Sequence, residues 1–310
     1  MTRISRFIQF HSDAISSFAC SRDGTLVATG QLGHRPTLAV WDSRTCITKF
    51  VAPELQLNAV CCVAFSADNS YIAVVNMDRE HTITVYDWKA NVAVSKFYGG
   101  GNHILGVFFT EPSSDAAAGV GLVSYGVKEL RFWKGVTTRF ATCMRPKIGE
   151  QGFLQTFLCG EILVGKPVIG TTDGFLYVFN ETSLLKTVKG HTGPLTAMDV
   201  NVSKKWLVTG GKDGTVRVWS EDLSCIKEFV LDSILDTVNP SVRSVAFNQL
   251  GTHIIIGTRA AEIFELSVTN GAKVGDRSLV EGHGVRQLWG LASHPTKEEC
   301  LTTGDDATLR

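Results

Sequence analysis

The stretch GHTGPLTAMDVNVSKKWLVTGGKDGTVRVWS, residues 190–220, contains the pattern that decides the fold of this chain. Apolar and polar residues alternate within its segments, and Gly, Asp, Asn, Ser or Lys residues separate them. Together with the segment CIKEFVLD that follows, the pattern predicts four short antiparallel strands within residues 189–231. Because a lone four-stranded sheet cannot cover both of its apolar faces, several such sheets are expected to pack face to face.

A strand that ends in an aromatic residue recurs along the chain. The successive spacings are 45, 47, 46 and 40 residues. The aromatic residues are Trp41, Tyr86, Trp133, Phe179 and Trp219. A weaker copy places Glu265 in the aromatic position, and the final segment LTTGDDATLR repeats LVTGGKDGTVRVWS but stops before its Val-Trp pair. A period of 40 to 47 residues with four strands per unit is typical of the blade of a β-propeller.

The repeats predict an all-β, seven-bladed propeller in which residues 1–310 form a single domain. We expect the last blade to be clipped at its C-terminal end and closed by the N-terminal segment TRISRFIQF, which has the length and alternation of an outer strand. The predicted blades comprise approximately residues 11–50, 51–96, 97–139, 140–185, 186–231, 232–279, and 280–310 together with 1–10.

Composition and charge argue against several classes of partner. Hydrophobic residues make up 44% of the chain, which is enough for a large core, and 30 basic residues balance 30 acidic ones. A net charge of zero produces no global attraction to nucleic acid or to an anionic membrane. No apolar run approaches the roughly 20 residues that span a bilayer, and no signal-type apolar segment follows the N-terminus. An intracellular, soluble protein is therefore expected.

The eight cysteines form none of the C-x-x-C pairs that zinc or redox sites use. In a reducing compartment they are expected to be small, mostly buried apolar residues. Adjacent Cys61 and Cys62 are expected to point to opposite faces of a strand. No metal site is predicted.

Residues 190–220 resemble the WD-repeat family, and the resemblance runs along essentially the whole chain. Gly190-His191 matches the GH pair of that family, and Trp219-Ser220 stands where Trp-Asp is usual. The resemblance implies a hydrogen-bonded structural network within the blade, formed by His191, Thr209, Asp213 and Trp219. A His, an Asp and a hydroxyl also occur in catalytic triads, but the set recurs in the last blade, which favours a structural role. The recurring residues are His283, Thr303 and Asp306.

Three longer phrases, VATGQLGHRPTLAVWDS, EHTITVYDW and GHGVRQLWGLASHP, narrow the resemblance. They are similar to the first propeller of the echinoderm microtubule-associated protein-like family, whose members place a hydrophobic motif before this propeller and a second propeller after it. The resemblance implies a non-catalytic scaffold of a cytoplasmic, microtubule-associated protein that binds tubulin or microtubule-linked partners. We expect this chain to be monomeric. The alternative is a structural propeller of a ciliary or axonemal assembly, because tandem-propeller proteins of the axoneme share phrases such as VATGQ.

The turns between second and third strands are the predicted partner-binding sites, because strands are committed to packing while loops vary freely. Basic residues in these turns would suit an acidic protein surface such as that of tubulin. Acidic residues share the same turns, so a merely solvated rim is the alternative. The predicted partner-binding residues are Arg35, Arg79, Lys128, Lys212, Arg259 and Arg286.

No motif predicts an enzyme. The segment GEILVGKP, residues 160–167, nearly matches a phosphate-binding loop, but Pro167 stands where that loop needs a hydroxyl, and the following VIGTTDGFLYVF predicts two strands. Zinc-protease and serine-hydrolase motifs are missing from the sequence. The glycine run at residues 99–101 is expected to be a flexible connection between blades, with a loop that approaches a ligand as the alternative. Catalytic residues and cofactors are therefore not predicted.

Overall fold

The structure is a computed structural model that describes residues 10–33, 36–52, 59–111, 120–138, 140–275, 278–282, 288–293 and 300–304. Antiparallel β-strands form nearly all of the regular structure in these residues. One helical turn, α1 (Leu231–Ile234), and one 3-10 turn, Gly149–Gln151, accompany them. The chain divides into two compact units.

The first unit covers the described residues of 1–169 and 178–186 and contains three complete four-stranded sheets. Neighbouring strands in each sheet are consecutive in the chain, so hairpins connect them. The first sheet consists of β1 (Ile15–Cys20), β2 (Leu26–Gln31), β3 (Leu38–Asp42) and β4 (Thr48–Val51). The second consists of β5 (Val60–Phe65), β6 (Tyr71–Asn76), β7 (Ile83–Asp87) and β8 (Val92–Phe97). The third consists of β9 (Ile104–Phe109), β10 (Leu122–Gly126), β11 (Glu129–Lys134) and β12 (Thr142–Met144).

The second unit covers the described residues of 170–177 and 187–310. A fourth sheet, with residues in both units, consists of β13 (Phe157–Leu163), β14 (Lys166–Thr171), β15 (Phe175–Asn180) and β16 (Ser183–Lys189). The fifth consists of β17 (Leu195–Asn201), β18 (Trp206–Gly211), β19 (Thr215–Trp219) and β20 (Cys225–Val230). The sixth consists of β21 (Val242–Phe247), β22 (His253–Thr258), β23 (Glu262–Ser267) and β24 (Val280–Glu281). A last, two-stranded sheet pairs β25 (Leu288–Ser293) with β26 (Cys300–Gly304).

The prediction of seven blades is wrong, although the all-β class is correct. The described residues form six four-stranded blades, and the last repeat contributes the two-stranded sheet β25–β26. A blade requires four hydrogen-bonded strands, and within the described residues only these two strands pair in the last repeat. Residues 2–9 of the predicted closing strand TRISRFIQF lie outside the described residues, and its last residue, Phe10, lies outside any strand.

Alternation along a single strand explains why neighbouring blades pack face to face. In β6, Ile72 and Val74 belong to a buried cluster with residues of the first blade, whereas Ala73 and Val75 belong to a cluster with residues of the third. Successive side chains of a strand point to opposite faces, so both faces of the second blade are buried. Full burial of each large aliphatic side chain contributes about 1.5–3 kcal/mol, which makes these interfaces the core of the first unit.

Cys61 and Cys62 depart from this alternation. A β-bulge shifts the register between Val60 and Cys62 and leaves Cys61 without a ladder partner. The extra residue brings both thiols to the same side of the strand. Their Sγ atoms are 3.6 Å apart, and both lie within 4.0 Å of the carbonyl oxygen of Ile104. The prediction that the two side chains point to opposite faces is therefore wrong.

The cysteines are also less buried than the composition predicts. None of the seven cysteines whose side chains the structure describes forms a disulfide, and Cys62 and Cys159 are buried. Three others, Cys20, Cys143 and Cys225, are exposed. Exposed thiols occur here because strands at the surface of a blade present alternate side chains to solvent.

A hydrogen-bonded chain of four side chains crosses the fifth blade. The indole N–H of Trp219 donates to Oγ1 of Thr209 at 2.9 Å, and that hydroxyl lies 2.8 Å from Nε2 of His191. On the other side of the ring, Nδ1 of His191 lies 3.1 Å from Oδ1 of Asp213. With the proton on Nδ1, every donor in this chain meets an acceptor, and the imidazole is fully buried. The structure thus brings together the four residues that the WD-repeat resemblance implies.

The network holds Asp213 as a carboxylate. Burial by itself raises the pKa of Asp213, but hydrogen bonds from His191, from the backbone N–H of Thr192 and from Thr215 outweigh it and hold the pKa well below the ordinary value of 3.8. A depressed pKa stabilises the folded state above that ordinary value, and the contribution is lost as the pH falls toward the folded-state pKa. The network therefore stabilises the blade throughout the neutral range.

The first blade contains a second network of the same kind, which the sequence did not reveal. The indole N–H of Trp41 donates to Oγ1 of Thr29 at 2.7 Å, and Nε2 of His11 lies 2.6 Å from the same hydroxyl. Gln31 replaces the aspartate, with its Oε1 atom 2.8 Å from Nδ1 of His11. The His and Thr are 18 residues apart in both blades, and this spacing was the available signal.

A partly buried carboxyl connects the fifth blade to the sixth. Oδ2 of Asp199, in β17, accepts the backbone N–H of Phe247, in β21, at 2.7 Å. The innermost strand of a blade has an open edge, so this side chain satisfies an amide that has no strand partner on that side. Burial raises the pKa of Asp199 above its ordinary value of 3.8, although hydrogen bonds from Phe247 and Val200 oppose the shift.

We expect replacement of Thr209 by Val to lower the free energy of unfolding by about 1–3 kcal/mol, because it leaves the buried donor of Trp219 and the ring nitrogen of His191 without a partner. Urea titration followed by circular dichroism measures this change. The double variant Thr209→Val with Trp219→Phe provides the control. Its destabilisation should be smaller than the sum of the two single effects, and simple additivity would contradict the hydrogen-bonded chain.

We expect Asp199→Ala to cost about 1–2 kcal/mol at pH 7, because the amide of Phe247 loses its acceptor, whereas Asp199→Asn retains an acceptor oxygen and should cost less. The raised pKa implies that the contribution of Asp199 to the stability of the folded state is lost as the pH rises from 3.8 through the folded-state pKa. Relative to wild type, the Asn variant should therefore become less stable as the pH falls toward 4. Unfolding titrations from pH 4 to 8 test this, and a pH-independent difference would contradict it.

Candidate protein-binding surface

Four of the six predicted partner-binding residues lie in the described part of the chain. Each is exposed in the turn between the second and third strands of its blade. Arg79 and Lys128 belong to the first unit, and Lys212 and Arg259 belong to the second. The remaining two predictions, on Arg35 and Arg286, lie outside the described residues.

The two cations of the first unit have acidic neighbours whose carboxylates already contact residues close to them in the chain. Asp78 accepts hydrogen bonds from the backbone N–H and the hydroxyl of Thr82 at 2.8 and 2.5 Å. Glu129 forms an ion pair with Arg131 at 2.7 Å. No ion pair within the described residues engages either cation. Their charged groups are therefore available to a partner, although exposed Glu80 reduces the local positive charge.

Three exposed apolar residues accompany these cations and have no counterpart among the sequence predictions. Leu32, Met77 and Val127 expose 37%, 41% and 40% of their surface. Each directly follows the second strand of its blade, and its backbone N–H donates at 2.9 Å to a carbonyl oxygen beside the first strand. The residues at the same backbone position in the fifth and sixth blades are Lys212 and Arg259. One position therefore carries an apolar side chain in the first three blades and a basic one in the fifth and sixth.

Backbone contacts and one contact between histidine rings connect the three apolar positions. Leu32 forms a β-bridge with Ala59, whose carbonyl oxygen also accepts the N–H of Met77. The backbone carbonyl oxygen of His103 accepts a hydrogen bond from the backbone N–H of Val127. The imidazole ring of His103 also contacts the ring of a histidine in the second blade. That histidine is His81, whose Nε2 atom lies 3.3 Å from Nδ1 of His103. We call the surface formed by Leu32, Met77, Arg79, Val127 and Lys128 the turn surface.

The glycine run that joins the second and third blades is not a flexible connection. Gly99 and Gly100 are buried. A Cβ atom at Gly99 would lie 2.0 Å from the carbonyl oxygen of His81, and Gly100 has a φ of +148°, which favours glycine. Next to the run, the guanidinium of Arg131 lies 5.6 Å from the ring centroid of Tyr98, within reach of a cation–π contact. The glycines therefore allow close packing of the connection beside the turn surface.

The near match to a phosphate-binding loop forms a hairpin instead. β13 and β14 are joined at Val164 and Gly165, which both have positive φ values, so the segment has no helix N-terminus to face a phosphate. Within the described residues, no group of three or more His, Cys, Asp or Glu side chains could hold a metal ion. Among the same residues, no helix has the length and apolar character that crossing a bilayer requires.

A comparison with solved structures identifies the same architecture. The crystal structure of the β-propeller domain of Cps50 (Swd1) from Myceliophteria thermophila aligns with a TM-score of 0.71 at 14% identity and covers 97% of this chain and 98% of that one. At this level of identity the likeness concerns the fold alone. It agrees with the assignment of the blades to a β-propeller.

Comparisons of sequence identify the family. The family described as the echinoderm microtubule-associated protein first beta-propeller matches residues 5–266. Echinoderm microtubule-associated protein-like 2 of Mus musculus is 29% identical over 316 residues, which cover 96% of this chain and 46% of that protein. The 77 kDa echinoderm microtubule-associated protein of Strongylocentrotus purpuratus is 28% identical, with coverages of 96% and 43%. The chain thus spans somewhat less than half the length of these relatives, and it belongs to the echinoderm microtubule-associated protein family through its first β-propeller.

Proposed function

We propose that this chain is a non-catalytic protein-binding module of a cytoplasmic, microtubule-associated protein, and that it binds tubulin or a microtubule-linked partner through the turns between second and third strands. The observation that carries the proposal is the turn surface, where Leu32, Met77 and Val127 are exposed. Met77 shares its turn with Arg79, and Val127 is adjacent to Lys128. Neither cation forms an ion pair within the described residues. The names of the relatives supply the class of partner.

The composition of the turn surface suits a protein partner better than a small molecule. Protein interfaces combine an apolar centre, which excludes water, with a polar and charged border that sets orientation. The apolar side chains would supply the centre, and Arg79 and Lys128 would supply positive charge at the border. An acidic partner surface would complement these cations and would be attracted more strongly at low ionic strength.

The proposed binding residues also include two basic residues in turns of the second unit. Lys212 and Arg259 occupy the backbone position that is apolar in the first unit, so a partner that reaches them would meet charge rather than apolar surface. These two residues are expected to contribute to the rate of association more than to the lifetime of the complex.

A structural role in an axonemal assembly is the alternative. It predicts binding to the polymerised lattice with no affinity for free tubulin dimers, whereas the proposed function predicts binding to unpolymerised tubulin. Parallel assays with unpolymerised tubulin and with microtubules separate the two.

Sedimentation velocity with unpolymerised tubulin tests the role of the cations. We expect Arg79→Glu with Lys128→Glu to raise the Kd by about tenfold at low salt, or about 1.4 kcal/mol, and to reduce the dependence on salt. The matched control is Arg44→Glu with Lys96→Glu, which reverses one exposed arginine and one exposed lysine outside these turns. Equal losses in the two double variants would indicate a general charge effect and contradict the proposed site.

Replacement of the apolar side chains tests the centre of the surface. Met77→Ser is expected to weaken binding by more than 1 kcal/mol if Met77 is buried by the partner, with an increased rate of dissociation measured by surface plasmon resonance. Val92, which is 53% exposed on β8, provides the control variant Val92→Ser. An unchanged dissociation rate in Met77→Ser, Leu32→Ser and Val127→Ser would show that the turn surface is not the binding site.

A further inference from the structure

Two adjacent thiols in the second blade form a cluster that the proposed function does not use. The Sγ atoms of Cys61 and Cys62 are 3.6 Å apart, with the Cys62 thiol oriented to donate to the Cys61 sulfur. The Cys61 thiol also lies 3.0 Å from the carbonyl oxygen of Ile104, in the first strand of the third blade. Ordinary strand geometry would separate neighbouring side chains onto opposite faces, so the β-bulge after Val60 is what creates the pair.

The two thiols differ in a way that suits a nucleophile and a resolving partner. Cys61 is half-buried, whereas Cys62 is only 7% exposed. The hydrogen bond from the Cys62 thiol lowers the pKa of Cys61 despite burial. The same contact and the deeper burial raise the pKa of Cys62. Cys61 is therefore the first of the two to form a thiolate, the species that reacts with oxidants.

We propose that Cys61 and Cys62 form a site of reversible oxidation by hydrogen peroxide that closes to a disulfide between adjacent residues. In the first step the Cys61 thiolate attacks one oxygen of the peroxide, an S–O bond forms, the O–O bond breaks, and the departing hydroxide takes up a proton to become water. In the second step the Cys62 sulfur attacks the sulfenic sulfur of Cys61, the S–S bond forms, and the S–O bond breaks. The departing hydroxide takes the proton of Cys62. Two thiols are thus oxidised to one disulfide, and one peroxide is reduced to two waters.

The bulge permits this closure at little cost to the sheet. Cys61 has no ladder partner, so its backbone can rotate while Val60 remains paired with Asn76 and Cys62 with Val75. The sulfur atoms must approach from 3.6 Å to about 2.05 Å. Adjacent Cα atoms are about 3.8 Å apart, closer than the separation of about 4.4–6.8 Å that disulfides usually span, so the bond is strained and readily reduced by thiols. Reversibility is therefore built into the position of the pair.

Closure also changes the contact between two blades. The disulfide has no S–H group, so the carbonyl oxygen of Ile104 loses the donor that Cys61 provides. Ile104 begins β9, which lies beside β5 in the packing of the second blade against the third. Oxidation is therefore expected to loosen the interface that supports Met77 and Val127 of the turn surface.

Peroxide titration of the intact chain, followed by acid quenching, alkylation in denaturant and mass spectrometry of the tryptic peptide 50–79, tests the proposal. This peptide contains Cys61 and Cys62 and no other cysteine. The expected product carries no alkyl group and is two hydrogen atoms lighter than the dithiol peptide, and dithiothreitol restores full alkylation. Addition of oxygen at Met77 is distinguished by its mass. Exposed Cys225 serves as the internal reference.

Two variants identify the roles of the thiols. Cys62→Ser should stop the reaction at the sulfenic acid, which dimedone traps on Cys61, and Cys61→Ser should leave Cys62 unmodified at the same peroxide concentration. The proposal is overturned if both thiols remain alkylatable when Cys225 is already oxidised, or if the peptide becomes linked to another cysteine peptide. It is also overturned if Cys62 alone reacts with dimedone.

Discussion

Each four-stranded sheet in this chain must bury both of its faces, and the rest of the structure depends on that constraint. Ile72 and Val74 pack toward one neighbouring blade, whereas Ala73 and Val75, between and after them on the same strand, pack toward the other. Five of the six residues of β6 are buried, so little of this strand is available for recognition. Because the strands are occupied by packing, variation in chemistry is confined to their ends and to local departures from regular pairing.

Polar side chains within the blades form hydrogen bonds with donors and acceptors that this packing would otherwise bury without a partner. In the fifth blade, a chain of hydrogen bonds connects Trp219 through Thr209 and His191 to Asp213. The first blade reaches the same result with Gln31 in place of the aspartate, since an amide oxygen can also accept from the ring nitrogen. The connected hydrogen bonds matter because a buried donor without a partner costs more than a formed bond contributes.

The ends of the second strands show how one backbone position serves different purposes. The N–H of the following residue makes an equivalent hydrogen bond in the first three and the fifth and sixth blades, yet its side chain is free to differ. Apolar Leu32, Met77 and Val127 in the first unit contrast with basic Lys212 and Arg259 in the second. The bulge at Cys61 is the second kind of departure, in which one extra residue places two reactive groups side by side.

The repeat of aromatic-ended strands was enough to predict an all-β propeller, because alternation and turn residues are local properties that can be counted along a chain. The resemblance of His191, Thr209, Asp213 and Trp219 to a known network was likewise readable, since it follows a fixed spacing. The number of blades was not, because a repeat in sequence becomes a blade only when four strands pair, and β25 and β26 pair only with each other among the described residues. The packing of the glycine run against His81 and the shared direction of the Cys61 and Cys62 thiols also required tertiary structure. Sequence determined which segments form strands; contacts between distant segments decided how many strands joined each sheet and which side chains remained exposed.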